Sequence, residues 1–294
     1  MGLECLKGLI KNNYSPESVV VHKDFELGKK YDDFYMPIEN LCKDNGINLI
    51  KAGKLNEYKN NFEGFDFGIC VGFMEIIKND ILGIPKLGIF NLHCGKLPQY
   101  RGRAPISRTI MDGNEFLTMT LHKMDEGVDS GEILLEQEIK IETDDDVNTM
   151  YGKCCEESSD VIFSGIEKIN NGELVLKKQD LSLKPKANKK ISGEERIINW
   201  NDNITKIHNL IRAITPPYPC AYSTYESNIY KFVKSEIFSI ETCNARNTGE
   251  IYFVDEDYFL INCVNGLLKI TEIRDADNYI IKPEEVFKQR GIFK

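Results

Sequence analysis

The chain has 294 residues, enough for one large domain or two ordinary ones. Its 41% hydrophobic and 28% charged residues give a soluble, globular composition, and no window holds the roughly 18 consecutive apolar residues of a membrane span. A formal net charge of −9 argues against a nucleic-acid backbone as the main partner, because phosphate contacts need clustered Lys and Arg.

In chain order, residues 1–11 read as a helix with Leu3, Leu6, Leu9 and Ile10 on one face. Residues 18–22 read as a strand. Pro37 starts a helix carrying Ile38, Leu41 and Cys42, which Gly46 ends. Residues 47–50, 66–71 and 86–91 read as three further strands. This alternation implies an α/β, Rossmann-like parallel sheet covered by helices. Residues 105–112 read as a helix with Pro105 in its first turn and Gly113 past its end. Residues 117–122 and 133–141 read as strands. Asp144, Asp145 and Asp146 then cap a long helix with apolar positions Val147, Met150, Tyr151, Cys154, Cys155, Ile162, Ile166 and Ile169, stopped by Asn171-Gly172.

Composition shifts at residues 180–195, DLSLKPKANKKISGEE, a polar stretch read as an inter-domain linker. Its basic KPKANKK is either solvated or a phosphate contact. Beyond it, Asp202 or Asn203 caps a helix with Ile204, Ile207, Leu210, Ile211 and Ile214 on one face, ended by Pro216-Pro217. Strands follow at 250–254, 258–264 and 267–273, and Asn265-Gly266 joins the last pair as a hairpin turn of positive φ. The expected domains are therefore 1–185, α/β, and 186–294, smaller and mostly β.

The nine cysteines lie at 5, 42, 70, 94, 154, 155, 220, 243 and 263, without metal-ligand spacing. With no signal pattern at the N-terminus, reduced thiols in a cytoplasmic protein are expected, with no metal.

Chemistry concentrates in two stretches. The first is FNLHCGKLPQYRG, residues 90–102, where an apolar run ends by presenting Asn91 and His93. In a parallel α/β sheet, ligands bind at the carboxyl ends of the strands. An Asn amide can donate to a developing oxyanion, and a His can take a proton near neutral pH. Alone, the pair also fits a buried, hydrogen-bonded structural role. The second stretch is TLHKMDEGVDSGEI, residues 120–133, in which Gly127 and Gly131 flank Val128-Asp129-Ser130. Asp129 is either a turn residue or a carboxylate that orients His93 and favours its protonated form.

Together, NLHCGKLPQYRGRAP and TLHKMDEGVDSGEI resemble the folate-dependent formyltransferase family. The order of elements extends the likeness over most of residues 1–185. Ile198-Asn-Trp200, Ile211-Arg-Ala213 and PPYPCAY (216–222) resemble the C-terminal domain of the methionyl-tRNA and nucleotide-sugar members, a domain that glycinamide ribonucleotide transformylase lacks.

The resemblance implies transfer of a formyl group from 10-formyltetrahydrofolate to a primary amine, without a metal. It puts the catalytic trio on Asn91 (oxyanion donor), His93 (base) and Asp129 (orienting carboxylate). The folate is expected against Phe73, Met74, Ile77 and Val128. For Phe73, Met74 and Ile77 the alternative is plain core packing.

The tRNA enzyme carries a basic insertion after its second strand; the corresponding stretch here, residues 22–33, is short and charge-balanced. LPQYRGRAP is similar to the enzyme acting on a UDP-amino-arabinose, and PPYPCAY to enzymes acting on dTDP-amino sugars. The expected substrate is accordingly a dTDP- or UDP-linked amino sugar, in lipopolysaccharide O-antigen biosynthesis. Its contacts are expected at Tyr100, Arg101, Arg103, Tyr218 and Tyr222. Arg103 is otherwise an exposed turn residue, and the two tyrosines otherwise pack the domains. A methionyl-tRNA formyltransferase and an inactive nucleotide- or folate-binding module are the alternatives, and a homodimer is a candidate assembly.

Two departures from the family pattern stand out. The family's first strand precedes the helix that opens this chain, so either the natural start lies upstream of Met1 or the N-terminus is remodelled. Cys94-Gly95-Lys96 replaces the family's small-Ser-Leu after the His, so a hydroxyl is missing there. Cys94 has no companions that form a thiol-protease arrangement.

Overall fold

A computed structural model describes residues 1–22, 35–53, 55–73, 76–184, 186–240 and 247–294. It divides into two compact units, each discontinuous in sequence. The first contains Met1–Gly102, Thr118–Ile139 and Gly152–Ala187; the second contains Arg103–Leu117, Lys140–Tyr151 and Asn188–Lys294. Among the described residues no helix is long and apolar enough to cross a membrane.

The first unit opens with helix α1 (Gly2–Lys11), which buries Cys5, Leu6 and Leu9. Strand β1 (Ser18–His22) pairs in parallel with β2 (Asn48–Ala52), on either side of α2 (Met36–Asp44), where Pro37 sits in the first turn. Strand β3 (Gly68–Val71) runs parallel to β4 (Ile89–His93), with the short α3 (Asn79–Leu82) between them. Strand β4 then pairs antiparallel with β5 (Phe116–Lys123), and β6 (Ile133–Lys140) completes a four-stranded sheet of order β3-β4-β5-β6. The α/β class holds, but this sheet is mixed rather than wholly parallel. The departure is at β5, which runs antiparallel to β4.

Strand β4 also runs two residues further than its apolar run suggested. Asn91 and His93 are its third and fifth residues, not the start of a turn. Phe90 and Leu92, which alternate with them, are buried. Strand alternation thus puts Asn91 and His93 on one face.

The long helix α5 (Val147–Asn170) begins at Asp146, whose carboxylate accepts from the backbone N–H of Asn148 (2.7 Å) and Thr149 (2.9 Å). Val147, Met150, Cys154, Ile162, Ile166 and Ile169 are buried, but Tyr151 is exposed.

The second unit holds helix α4 (Pro105–Met111), which packs on α6 (Ile204–Ala213). The α6 face Ile204, Ile207 and Ile211 is buried. Its sheet is antiparallel, in the order β7-β8-β11-β10-β9. Strands β9 (Ile251–Val254), β10 (Phe259–Cys263) and β11 (Gly266–Arg274) fall where expected. Strands β7 (Ala221–Tyr225) and β8 (Asn228–Ser239), and the short α7 (Pro283–Val286), had no sequence-based assignment.

The β10–β11 turn is shifted by one residue. Cys263 pairs with Gly266, so Val264-Asn265 makes the turn. Asn265 is used differently from the expectation: its side-chain oxygen accepts from Ile204 N at 2.8 Å, at the start of α6. Asn203 caps the same helix end by accepting from Lys206 N at 2.8 Å. Gly266 is required by crowding, since a Cβ there would lie 2.0 Å from the Ser239 carbonyl oxygen.

An aromatic cluster fills this unit. Phe293 lies 5.2 Å from Phe232, 5.3 Å from Phe287 and 5.3 Å from Tyr225, ring centre to ring centre. Trp200 joins it at 6.0 Å from Phe293 and donates from Nε1 to Ser223 Oγ at 2.9 Å. Such pairs add to the area they bury. Phe293→Ala should destabilise the second unit by about 3–5 kcal/mol, read as a lower urea midpoint for its unfolding. A loss below about 1 kcal/mol would show that the cluster does not depend on this ring.

Candidate active site

The site grows from the register of β4 on β5. Asn91 stands directly opposite His122, and His93 opposite Thr120. Thr118, Thr120 and His122 are buried polar residues in an otherwise apolar strand. Each needs a hydrogen-bond partner. Thr120 Oγ1 donates to the Gly95 carbonyl at 3.0 Å, which pins the turn after His93.

His122 is held at both ring nitrogens. Nδ1 lies 3.0 Å from the Lys123 carbonyl, and Nε2 lies 3.3 Å from Asn91 Nδ2. A carbonyl can only accept, so Nδ1 carries the hydrogen. In the neutral ring Nε2 is then an acceptor for the Asn91 amide. That contact turns the Asn91 side chain with NH2 toward His122 and leaves its second N–H for another acceptor.

His93 is arranged the opposite way round. Nε2 donates to the Tyr100 carbonyl at 2.9 Å, so the neutral ring has its lone pair on Nδ1. Nδ1 faces Asp129 Oδ2 at 3.6 Å, too far for a direct hydrogen bond. Burial pushes the His93 pKa below its ordinary 6.5, and the Asp129 charge and the Tyr100 carbonyl only partly offset this. The ring is therefore a neutral base at physiological pH.

Asp129 sits in the β5–β6 loop with a left-handed φ of +48°. Gly102 N donates to its Oδ2 at 2.9 Å, and Oδ1 lies 3.6 Å from His122 Nε2. Burial would raise its pKa. His122, His93 and the Gly102 N–H outweigh that and bring it down to about 2. Gly131 closes the loop against the Lys123 carbonyl, where a Cβ would lie only 1.8 Å away. Asp125 Oδ1 braces the loop from inside, accepting from Gly127 N (3.0 Å) and Ser130 Oγ (2.6 Å).

Asn91, His93 and Asp129 thus lie together in the first unit. So do Tyr100, through its main chain, and Arg101, whose buried guanidinium donates from Nε to the Val128 carbonyl at 2.9 Å. Val128 itself has an exposed side chain. Cys70 of β3 pairs with Asn91, and Phe73 and Ile77 follow that strand. Ile77 is buried and Phe73 half-buried against the core cluster of Cys70, Ile81 and Ile89. Met74 lies outside the described residues, as do 23–33 of the charge-balanced stretch.

Arg103, Tyr218 and Tyr222 belong to the second unit. Arg103 and Tyr218 are exposed, and Arg103 N donates to the Asn188 carbonyl at 2.9 Å. Tyr222 is in β7 with the Arg196 guanidinium 5.3 Å above its ring, a cation–π contact. Cys94 is buried, and its hydrogen bond with Cys154 and its burial raise its thiol pKa well above the ordinary value, so it is a poor nucleophile.

His122 and the Tyr100 carbonyl are the parts that residue-type reasoning missed. The available signal for His122 was its two-residue spacing from Thr120, matching that of Asn91 and His93.

A family model described as formyl transferase matches residues 18–166, and a second, described as formyl transferase, C-terminal domain, matches 190–291. The methionyl-tRNA formyltransferase of Thermodesulfovibrio yellowstonii is 32% identical over 295 residues, covering 98% of this chain and 92% of its own. That of Caldicellulosiruptor saccharolyticus is 30% identical over 261 residues, covering 87% and 83%. Among solved structures, an N-formyltransferase from Helicobacter canadensis in complex with folinic acid and dTDP-3-aminofucose superposes with a TM-score of 0.66 at 22% identity, covering 92% of this chain and 94% of its own. A sugar 3N-formyl transferase, WlaRD, in the presence of dTDP and 5-N-formyl-THF, also gives 0.66, at 23% identity, covering 91% and 92%.

The hydrogen-bond partners make the tautomers testable by nitrogen-15 NMR. Neutral His93 should carry its proton on Nε2 and neutral His122 on Nδ1. Finding Nδ1–H on His93 would contradict the orientation described for the base.

Proposed function

The chain belongs to the formyl transferase family, and from that premise we propose that it formylates the amino group of a dTDP- or UDP-linked amino sugar. Formyl transfer dependent on folate is the family's activity; the acceptor is the part proposed. The observation that carries the chemistry is the convergence of the Asn91 amide, the His93 Nδ1 lone pair and the ionised Asp129.

The co-substrate, 10-formyltetrahydrofolate, supplies an activated formyl group. The residues present fit it: a half-buried Phe73 and buried Ile77 offer an apolar wall, and the exposed Val128 offers a loop beside Asp129. Met74 is assigned to the same wall from sequence.

Each protein group has one task. Asn91, its amide oriented by His122, donates its second N–H to the formyl oxygen as that oxygen gains charge. His93 accepts the proton of the attacking amine on Nδ1. The new imidazolium faces Asp129 Oδ2, which stabilises it without being protonated, and then gives its proton to the departing tetrahydrofolate nitrogen as that nitrogen's bond to the formyl carbon breaks. Burial of His93 keeps the base neutral beforehand. In this reading residues 1–185 carry the transfer and 186–294 assist acceptor recognition through Tyr218 and Tyr222, with Tyr100, Arg101 and Arg103 contacting the nucleotide sugar.

The net charge of −9 supports a nucleotide sugar over tRNA, since a negative protein steers poorly toward a polyanion. The structural likeness to the enzyme holding dTDP-3-aminofucose supports it as well. The identity to methionyl-tRNA formyltransferases favours tRNA as the second reading.

The deciding experiment offers dTDP- and UDP-amino sugars and methionyl-tRNA with 10-formyltetrahydrofolate and reads product mass. A formylated sugar is expected; formylated tRNA alone would overturn the acceptor. On the accepted substrate, His93→Ala should lower kcat by about 100- to 10,000-fold and Asn91→Ala by about 100- to 1,000-fold. Unchanged turnover in either removes that residue from the mechanism.

The pH profile follows in sign. His93 must be neutral, and its pKa lies below 6.5, so kcat/KM should fall with acid only below about pH 6.5. Asp129→Asn removes a charge that raises that pKa, so the acid limb should move lower still while kcat drops. A limb that stays in place or rises in this variant would contradict the pairing.

A further inference from the structure

The loop that carries Asp129 is gripped from outside by two side chains that no motif singles out for that task. We propose that Gln179 and Arg101 form a clamp that positions Asp129 for the proton step; this rests on the formyl-transfer reading above. Asp129 holds a left-handed backbone that a non-glycine residue adopts only when its surroundings over-determine it. Three carbonyls of the loop are taken. Arg101 Nε donates to Val128 O at 2.9 Å. Gln179 Nε2 donates to Asp129 O at 3.0 Å and to Gly131 O at 2.6 Å. Both Gln179 partners are carbonyls, so they fix which end of its amide carries the hydrogens.

The other end of that amide makes the case. Gln179 Oε1 is buried and has no hydrogen-bond partner among the described residues. Among the described residues the side chain acts as a donor, to the carbonyl of Asp129 itself and to that of Gly131 beyond Ser130.

The clamp is anchored on both sides. Gln179 follows a backbone bridge in which Ile133 N donates to Lys177 O at 2.8 Å and Lys177 N to Ile133 O at 2.9 Å. Arg101 Nη1 reaches the Lys184 carbonyl at 3.5 Å, in the same segment. The residue after Arg101 gives its own N–H to the Asp129 carboxylate at 2.9 Å. Segments 101–102 and 177–184 therefore set both the loop backbone and the direction of its carboxylate. A shift of the order of 1 Å in a catalytic group can cost about 100-fold in rate.

The test compares Gln179→Met, which keeps length and removes the donors, with Gln179→Lys, which restores donors of similar reach. Two readouts are taken: kcat and KM, and the NMR titration of His93, whose ring faces Asp129, His122 and the Tyr100 carbonyl. Gln179→Met should lower kcat by up to about 100-fold with KM little changed. The same variant should shift the His93 titration to lower pH while His208, in the other unit, stays put. Gln179→Lys should recover most of kcat; its added positive charge itself lowers the His93 pKa, so kcat alone is compared for that variant.

A methionine variant with wild-type kcat and an unmoved His93 overturns the clamp. So does one that loses stability and raises KM without moving His93, because that is a merely structural residue. If Gln179→Met does not fold, Gln179→Asn, one methylene too short to span both carbonyls, is read the same way. A shifted His93 in a protein that formylates no acceptor would keep the clamp and remove the formyl-transfer reading.

Discussion

The register between β4 and β5 is the constraint on which the site depends. It sets Asn91 against His122 and His93 against Thr120. Side chains alternate across a strand, so a slip of β4 by one residue would turn Asn91 and His93 to the other face and bring Phe90 and Leu92 to the site. The buried residues around them resist that slip: Phe90, Met119 and Leu121 are fully enclosed. The placing of these polar side chains is thus a by-product of keeping a hydrophobic core dry.

Two buried imidazoles in one site are an electrostatic liability, and the backbone resolves it. Main-chain carbonyls, from Lys123 and Tyr100, each claim one nitrogen of one ring. The claims fall on different nitrogens, so the rings end with different jobs. His122 presents an acceptor to an amide, and His93 presents a lone pair toward Asp129. Asp129 is held ionised, its pKa brought down to about 2, and in the proposed transfer its charge would stabilise a transient His93 cation.

Much of this was readable from residues alone, and the limits have physical causes. Strands β1 to β6 stood out as apolar runs between turn residues. Asn91 and His93 were visible because they interrupt such a run two residues apart. His122 was present in the quoted motif but carried no role, because its role comes from a pairing 31 residues back in the chain. Gln179 is further still, 50 residues from Asp129. Tyr100 acts through its carbonyl, which no residue type advertises. Strands β7 and β8 escaped because β7 hides a polar residue in its core: Ser223 is buried and bonded to Trp200 and to the Lys294 carbonyl. Asn265 fitted a turn by type, yet its side chain caps a helix 61 residues away.

The central claim is that a neutral His93, held by the Tyr100 carbonyl, takes the proton of the attacking amine. Its most direct test is turnover of His93→Gly with increasing concentrations of free imidazole. The account predicts little turnover without imidazole and a rise that tracks the neutral fraction of the added base. Wild-type turnover by His93→Gly in the absence of imidazole would contradict it.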